Sequence, residues 1–128
     1  MSLKYKTSQG AAAGTFDSFV VGAEEIVLTS VTLEGIEAGD RVVLSIDVSW
    51  LKPMCDLGEL EFFLRKDAAD GPVIYWTLET CYAKARTKES FTLTAEGGMR
   101  HFYLSVKSCE QKARLVSYAL EGSVYAPV

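Results

Sequence analysis

Apolar and polar residues alternate along most of this chain. Val42, Leu44, Ile46, Val48 and Trp50 are interleaved with Val43, Ser45, Asp47 and Ser49. A period of two with one apolar side is the pattern of a half-buried strand. ELEFFLRK repeats it, with Leu60, Phe62 and Leu64 predicted inward and Glu59, Glu61 and Arg65 outward. Ile74, Trp76 and Leu78 form a third apolar set, Phe91 and Leu93 a short fourth, and Phe102, Leu104 and Val106 a fifth. GTFDSFVVG and EEIVLTSVTLEG read as two strands upstream, and YKTSQ near the N-terminus as a further one. The closing segment ARLVSYALEGSVYA is long, and Gly122 within it predicts a bulge or bend.

Turn chemistry separates these runs: EGIEAGD, KDAADGP and AEGGM each precede a new apolar set. Helical periodicity is almost absent, and SCEQKAR, Ser108 to Arg114, has room for one turn. Short strands punctuated in this way predict an all-β antiparallel sandwich of about eight to nine strands with jelly-roll connections. The length of 128 residues predicts one domain, with residues 1–14 able to act as a flexible arm.

Composition narrows the function. Apolar residues make up 48% and charged residues 23%, enough for a core of its own. The net charge is −4 and no basic block stands out, which argues against nucleic acid as a partner. The densest basic segment, Ala83 to Lys88, reads as a solvated strand face or loop. The opening residues have no apolar stretch of a secretory signal, and no run of about eighteen apolar residues predicts a membrane span. The expectation is synthesis in the cytosol without a signal peptide.

Three cysteines, Cys55, Cys81 and Cys109, each follow the end of a predicted strand. If successive strands from Arg41 onward alternate in direction, all three collect at one pole. The sole histidine, His101, then begins its strand at the other, about 20 Å away at 3.3 Å per residue. A Cys3His zinc site and a Cys–His nucleophile are therefore disfavoured, and no CxxC or GxSxG motif is present. The thiols remain open to three readings: a Cys81–Cys109 or similar bridge, a cross-link between chains, or plain buried cysteine. The opposite pole gathers Glu34, Glu37, Asp40, Asp67, Asp70 and Glu96, without the loop motif of a calcium site. No catalytic, metal or cofactor-binding residues are assigned, and the chain reads as no enzyme. Phe63, Tyr75, Tyr103 and Tyr118 fall on the polar phase of their strands and are the candidate interface residues, open also to a sugar-binding platform or a second core face.

The succession GDRVVLSIDVSW, LEFFLRKDAADGPVIYWT, SFTLTAEGGMRHFYLSVKS and ARLVSYALEGSVYA, spanning Gly39 to Ala126, resembles the small jelly-roll proteins of endospore surfaces. Their fold is similar to that of tumour necrosis factor and of the globular heads of collagen-like exosporium proteins. The resemblance implies a non-enzymatic structural domain, commonly a homotrimer, placed on a spore surface beside other coat proteins. Two alternatives are a carbohydrate-binding module, with surface glycan as partner, and a phage or viral capsid or fibre jelly roll.

Overall fold

The computed structural model describes residues 2–53, 57–98 and 100–127. Among the described residues nine strands are formed: β1 Ser2–Ala11, β2 Phe19–Val21, β3 Ile26–Thr32, β4 Arg41–Leu51, β5 Gly58–Lys66, β6 Val73–Cys81, β7 Lys84–Thr94, β8 His101–Lys107 and β9 Ala113–Ala126. A 3-10 turn, Cys109–Gln111, sits where SCEQKAR predicted one turn. The strands build an antiparallel β-sandwich. One sheet runs β1-β9-β4-β7, with β2 also on β9 beyond the end of β1; the other runs β3-β8-β5-β6. Taking β2 as the first member, β2-β9-β4-β7 facing β3-β8-β5-β6 is the strand order of a jelly roll. Among the described residues no helix is long and apolar enough to cross a membrane.

The core comes from the predicted alternation. Val42, Leu44, Ile46, Val48 and Trp50 on β4 are buried, as are Leu60, Phe62 and Leu64 on β5 and Phe102, Leu104 and Val106 on β8. The Trp50 indole donates to the buried Thr87 hydroxyl at 3.1 Å, so its polar edge keeps a partner inside. Chain direction alternates as expected, but only β5–β6 is a hairpin within one sheet; every connection from β2 to β5 and from β6 to β9 changes sheets.

Four elements extend or correct the sequence reading. The strand read at YKTSQ is found and runs longer, as β1, paired along β9 and closed by Lys4, whose ammonium reaches the buried Asp40 carboxylate at 2.6 Å. Lys4 sits at a register irregularity between Leu3 and Tyr5, which frees its side chain to turn toward Asp40. The strand read at Phe91 and Leu93 begins earlier, at Lys84, and the basic segment is the solvated strand face expected, with Lys84, Arg86 and Lys88 exposed on its outward phase. Gly122 makes no bulge; it pairs with Leu44 and leaves room for Leu33, whose Cδ2 would lie 2.8 Å from any added Cβ. The irregularity of β9 against β4 falls instead opposite Ser49 and Trp50.

The fourth difference is the phase of β6. Tyr75 pairs beside Leu64 and packs against the core, while Trp76 and Leu78 point outward with 51% and 42% of their surface exposed. β6 lies at the rim of its sheet, where the inner side is only partly covered. Tyr75 closes that rim by meeting Phe91 of β7, ring centroids 5.4 Å apart. Thr77 and Glu79 then suffice on the inner phase; Ile74 still packs against the core, and Trp76 and Leu78 are left outside.

Candidate functional site

Register fixes which side chains share the outer face of β3-β8-β5-β6. Val27 is opposite Ser105, Ser105 opposite Phe63, and Phe63 opposite Trp76, forming one row across all four strands. Lys107, Glu61 and Leu78 form the next row on one side; Ser30, Tyr103 and Arg65 flank it on the other. The middle row is apolar at both ends, with Val27 46% and Trp76 51% exposed, while Phe63 at its centre is only 9% exposed.

Polar groups hold this face rigid. Glu25, just before β3, folds over the sheet and accepts two hydrogen bonds from Arg65, from Nε and one terminal nitrogen, each 2.7 Å. The Ser105 hydroxyl donates to the same carboxylate, and the remaining Arg65 nitrogen donates to the Gly71 carbonyl at 2.7 Å. The Arg65 hydrogen bonds hold the Glu25 carboxyl below its ordinary range, against the opposing effect of burial. Reciprocally, Glu25 raises Arg65. Arg65 and Lys107 both lie over the Phe63 ring, 5.7 and 5.5 Å from its centroid. On β6 the Trp76 indole donates to Glu61 at 3.1 Å, fixing an exposed ring in one orientation.

Of the predicted interface residues, Phe63 and Tyr103 belong to this outer face. Tyr75 and Tyr118 do not. Tyr118 pairs beside Val48 on the inward phase of β9 and meets Phe16 from the β1–β2 segment, ring centroids 5.5 Å apart. The β9 irregularity near Trp50 shifts its phase, which alternation alone does not reveal. Trp76, Leu78 and Val27 take the vacated places. Glu25 gave no sequence signal, because its partners are 40 and 80 positions away.

Cys55 lies outside the described residues. Cys81 and Cys109 stand at the same pole: Cys81 pairs with Gly58, and the segment 108–112 bonds to Glu59 next to it. Both are free thiols, Cys81 buried and Cys109 exposed. Burial pushes the Cys81 thiol up, which keeps it protonated and inert. His101 is at the opposite pole, its Nδ1 3.1 Å from the Thr32 hydroxyl. Of the acidic residues there, Asp40 is tied to Lys4 and the Glu37 amide, and Glu34 to Arg100. Among the described residues no group of three His, Cys, Asp or Glu side chains is placed to hold a metal. A shallow groove on the other sheet, lined by Ser8, Asp47, Ser49, Arg86 and Ser117, carries a carboxylate already clamped by Arg86.

No family model and no curated protein matches the chain. Solved structures do. A protein of Bacillus endospore appendages, a family of disulfide-linked pili, is 10% identical over 98% of this chain and 90% of its own, with a TM-score of 0.48. The dimeric latent PorU of Porphyromonas gingivalis is 9% identical over 98% of this chain, with a TM-score of 0.56. A chain of infectious bursal disease virus, Gx strain, is 12% identical over 97%, with a TM-score of 0.54. This chain spans 13% of the PorU chain and 33% of the viral one. At these identities the two likenesses show the fold alone.

Proposed function

We propose that this chain is a non-enzymatic structural subunit that assembles through the outer face of β3-β8-β5-β6. The observation that carries the reading is the row Val27–Phe63–Trp76 with Leu78 beside it. It places Trp76 and Leu78 side by side at one edge and Val27 at the other, each more than two-fifths exposed, with Phe63 and Ser105 enclosed between them. Exposed apolar side chains gathered on one face of a folded domain mark an interaction site. Its burial supplies about 25 cal/mol per Å² toward association. The surrounding charges are already paired or laid over rings, so the face is rigid before it meets a partner.

A spore surface or similar layer is the setting the sequence resemblance implies; the trimer it also implies is the alternative to the two-fold contact inferred below. Cys109, exposed at one pole, is available there to link chains, whereas Cys81 is enclosed. Light scattering on the eluted peak tests the reading: an oligomer supports it, and a monomer at every concentration overturns it. One observation favours a second reading. The Trp76 indole, held by Glu61, is a flat platform of the kind on which a pyranose ring stacks. A monomer retained on a polysaccharide column, and released by Trp76→Ala, would select that reading.

A further inference from the structure

From the register of the two central strands we infer that the contact is between two copies of this chain, face to face, about a two-fold axis parallel to the strands between β5 and β8. The inference rests on the assembly reading and adds its geometry. In a contact of this symmetry, each position on β5 meets the position on β8 of the second copy that it pairs with in its own sheet. The pair Glu61 and Lys107 is complementary in charge; Arg65 is in register with Tyr103, and the enclosed Phe63 with the enclosed Ser105. At the rims, Trp76 of one copy meets Val27 of the other, the two exposed apolar ends of the central row.

Charge decides between this axis and one lying across the strands. A transverse axis along the central row sets Glu61 against Arg65 of the second copy. That guanidinium is already filled by the Glu25 carboxylate and the Gly71 carbonyl. The Lys107 ammonium instead rests over the Phe63 ring, and Glu61 accepts from the Trp76 indole. Among the described residues neither Lys107 nor Glu61 is in an ion pair, and the parallel axis brings them together twice. Two sheets stacked in this way sit about 10 Å apart, a gap into which the exposed Trp76 and Val27 side chains reach.

The experiment pairs two charge reversals, Glu61→Lys and Lys107→Glu, measured separately and mixed by sedimentation equilibrium, with circular dichroism confirming the fold of each. The wild-type chain is expected at twice the chain mass or an even multiple. Each variant alone sets like charges against each other at both contacts and is expected to dissociate at least tenfold more readily. In the mixture the introduced lysine of one chain faces the introduced glutamate of the other, and the unchanged Lys107 of the first faces the unchanged Glu61 of the second. The mixture is therefore expected to recover the wild-type mass as a mixed pair. Recovery in the mixture cannot arise from contacts within one chain. A wild-type trimer, or folded variants that fail to recover on mixing, overturns the two-fold contact while leaving assembly standing. A wild-type monomer overturns both. Lys107→Glu leaves the Trp76–Glu61 bond intact, so its behaviour alone separates charge from loss of the indole's anchor.

Discussion

The two sheets share one pleat and one core but present opposite chemistry outward. On β4 and β7 the outward positions are short and polar: the Ser45 and Ser90 hydroxyls bond at 2.9 Å, and Arg86 grips Asp47 at 2.8 and 2.7 Å. These groups find their partners sideways, on the neighbouring strand. On β5 and β6 the corresponding positions carry Phe63, Trp76 and Leu78, with charges arranged at their margins. Sideways pairing there leaves apolar area uncovered. The difference teaches that outward polarity in a sandwich separates a solvated wall from a wall that wants a neighbour.

Phe63→Ala is the largest expected blow to the contrast. Phe63 is almost enclosed and lies beneath Arg65 and Lys107, so its loss removes packing and two cation–ring contacts. Urea unfolding should show about 3 kcal/mol lost, as for a buried aromatic truncated to alanine. The matched change on the other sheet, Ser45→Ala, should stay within about 0.5 kcal/mol. Equal losses would mean that the two walls are built alike.

Next in size is Trp76→Lys, which leaves the core intact and acts on association. The dissociation constant should rise at least about thirty-fold, close to 2 kcal/mol, the scale of an interfacial tryptophan. Thr92→Lys, exposed on the outward phase of β7, should leave the oligomeric mass unchanged. A mass that responds to Thr92 and ignores Trp76 would put the contact on the other wall.

Glu25→Gln ranks third. The carboxylate is partly open to solvent, so the loss at neutral pH should be about 1 kcal/mol after allowing for screening. The sign follows from the depressed carboxyl: the folded state favours the charged form, so stability is present at neutral pH and fades as acid protonates the group. Wild type and variant should therefore converge as the pH falls through the range below the ordinary glutamate value. A gap that persists in acid would assign the effect to packing rather than to the Arg65 pair.

The core was legible because buried strands of both sheets alternate strictly: Val42 to Trp50 and Phe102 to Val106 are predicted and found inside. The apolar face of β6 was not, since Ile74, Trp76 and Leu78 are the more apolar phase and still point outward or sit part-covered. An edge strand answers to the rim it closes, here Tyr75 against Phe91, and that contact joins the two sheets across their edge, which the period along one strand does not show. Tyr118 was misplaced for a related reason, an irregularity near Trp50 that shifts the phase of β9. Long-range polar locks such as Glu25–Arg65 and Lys4–Asp40 span 40 and 36 positions and leave no periodic trace. The poles fared better: strand direction alone placed Cys81 with Cys109 and put His101 at the far end.

The smallest expected effect is Arg86→Ala, and it sharpens the comparison by being small. The Asp47–Arg86 pair has good two-pronged geometry, and each partner shifts the other toward its charged form. Yet Arg86 is 61% exposed, so water and salt replace most of what the pair supplies. The variant should unfold at the wild-type midpoint and keep the wild-type mass, at low and high salt alike. A drop in oligomeric mass on this substitution would make the polar wall an interface too. The asymmetry between the two sheets would then no longer decide which of them meets a neighbour.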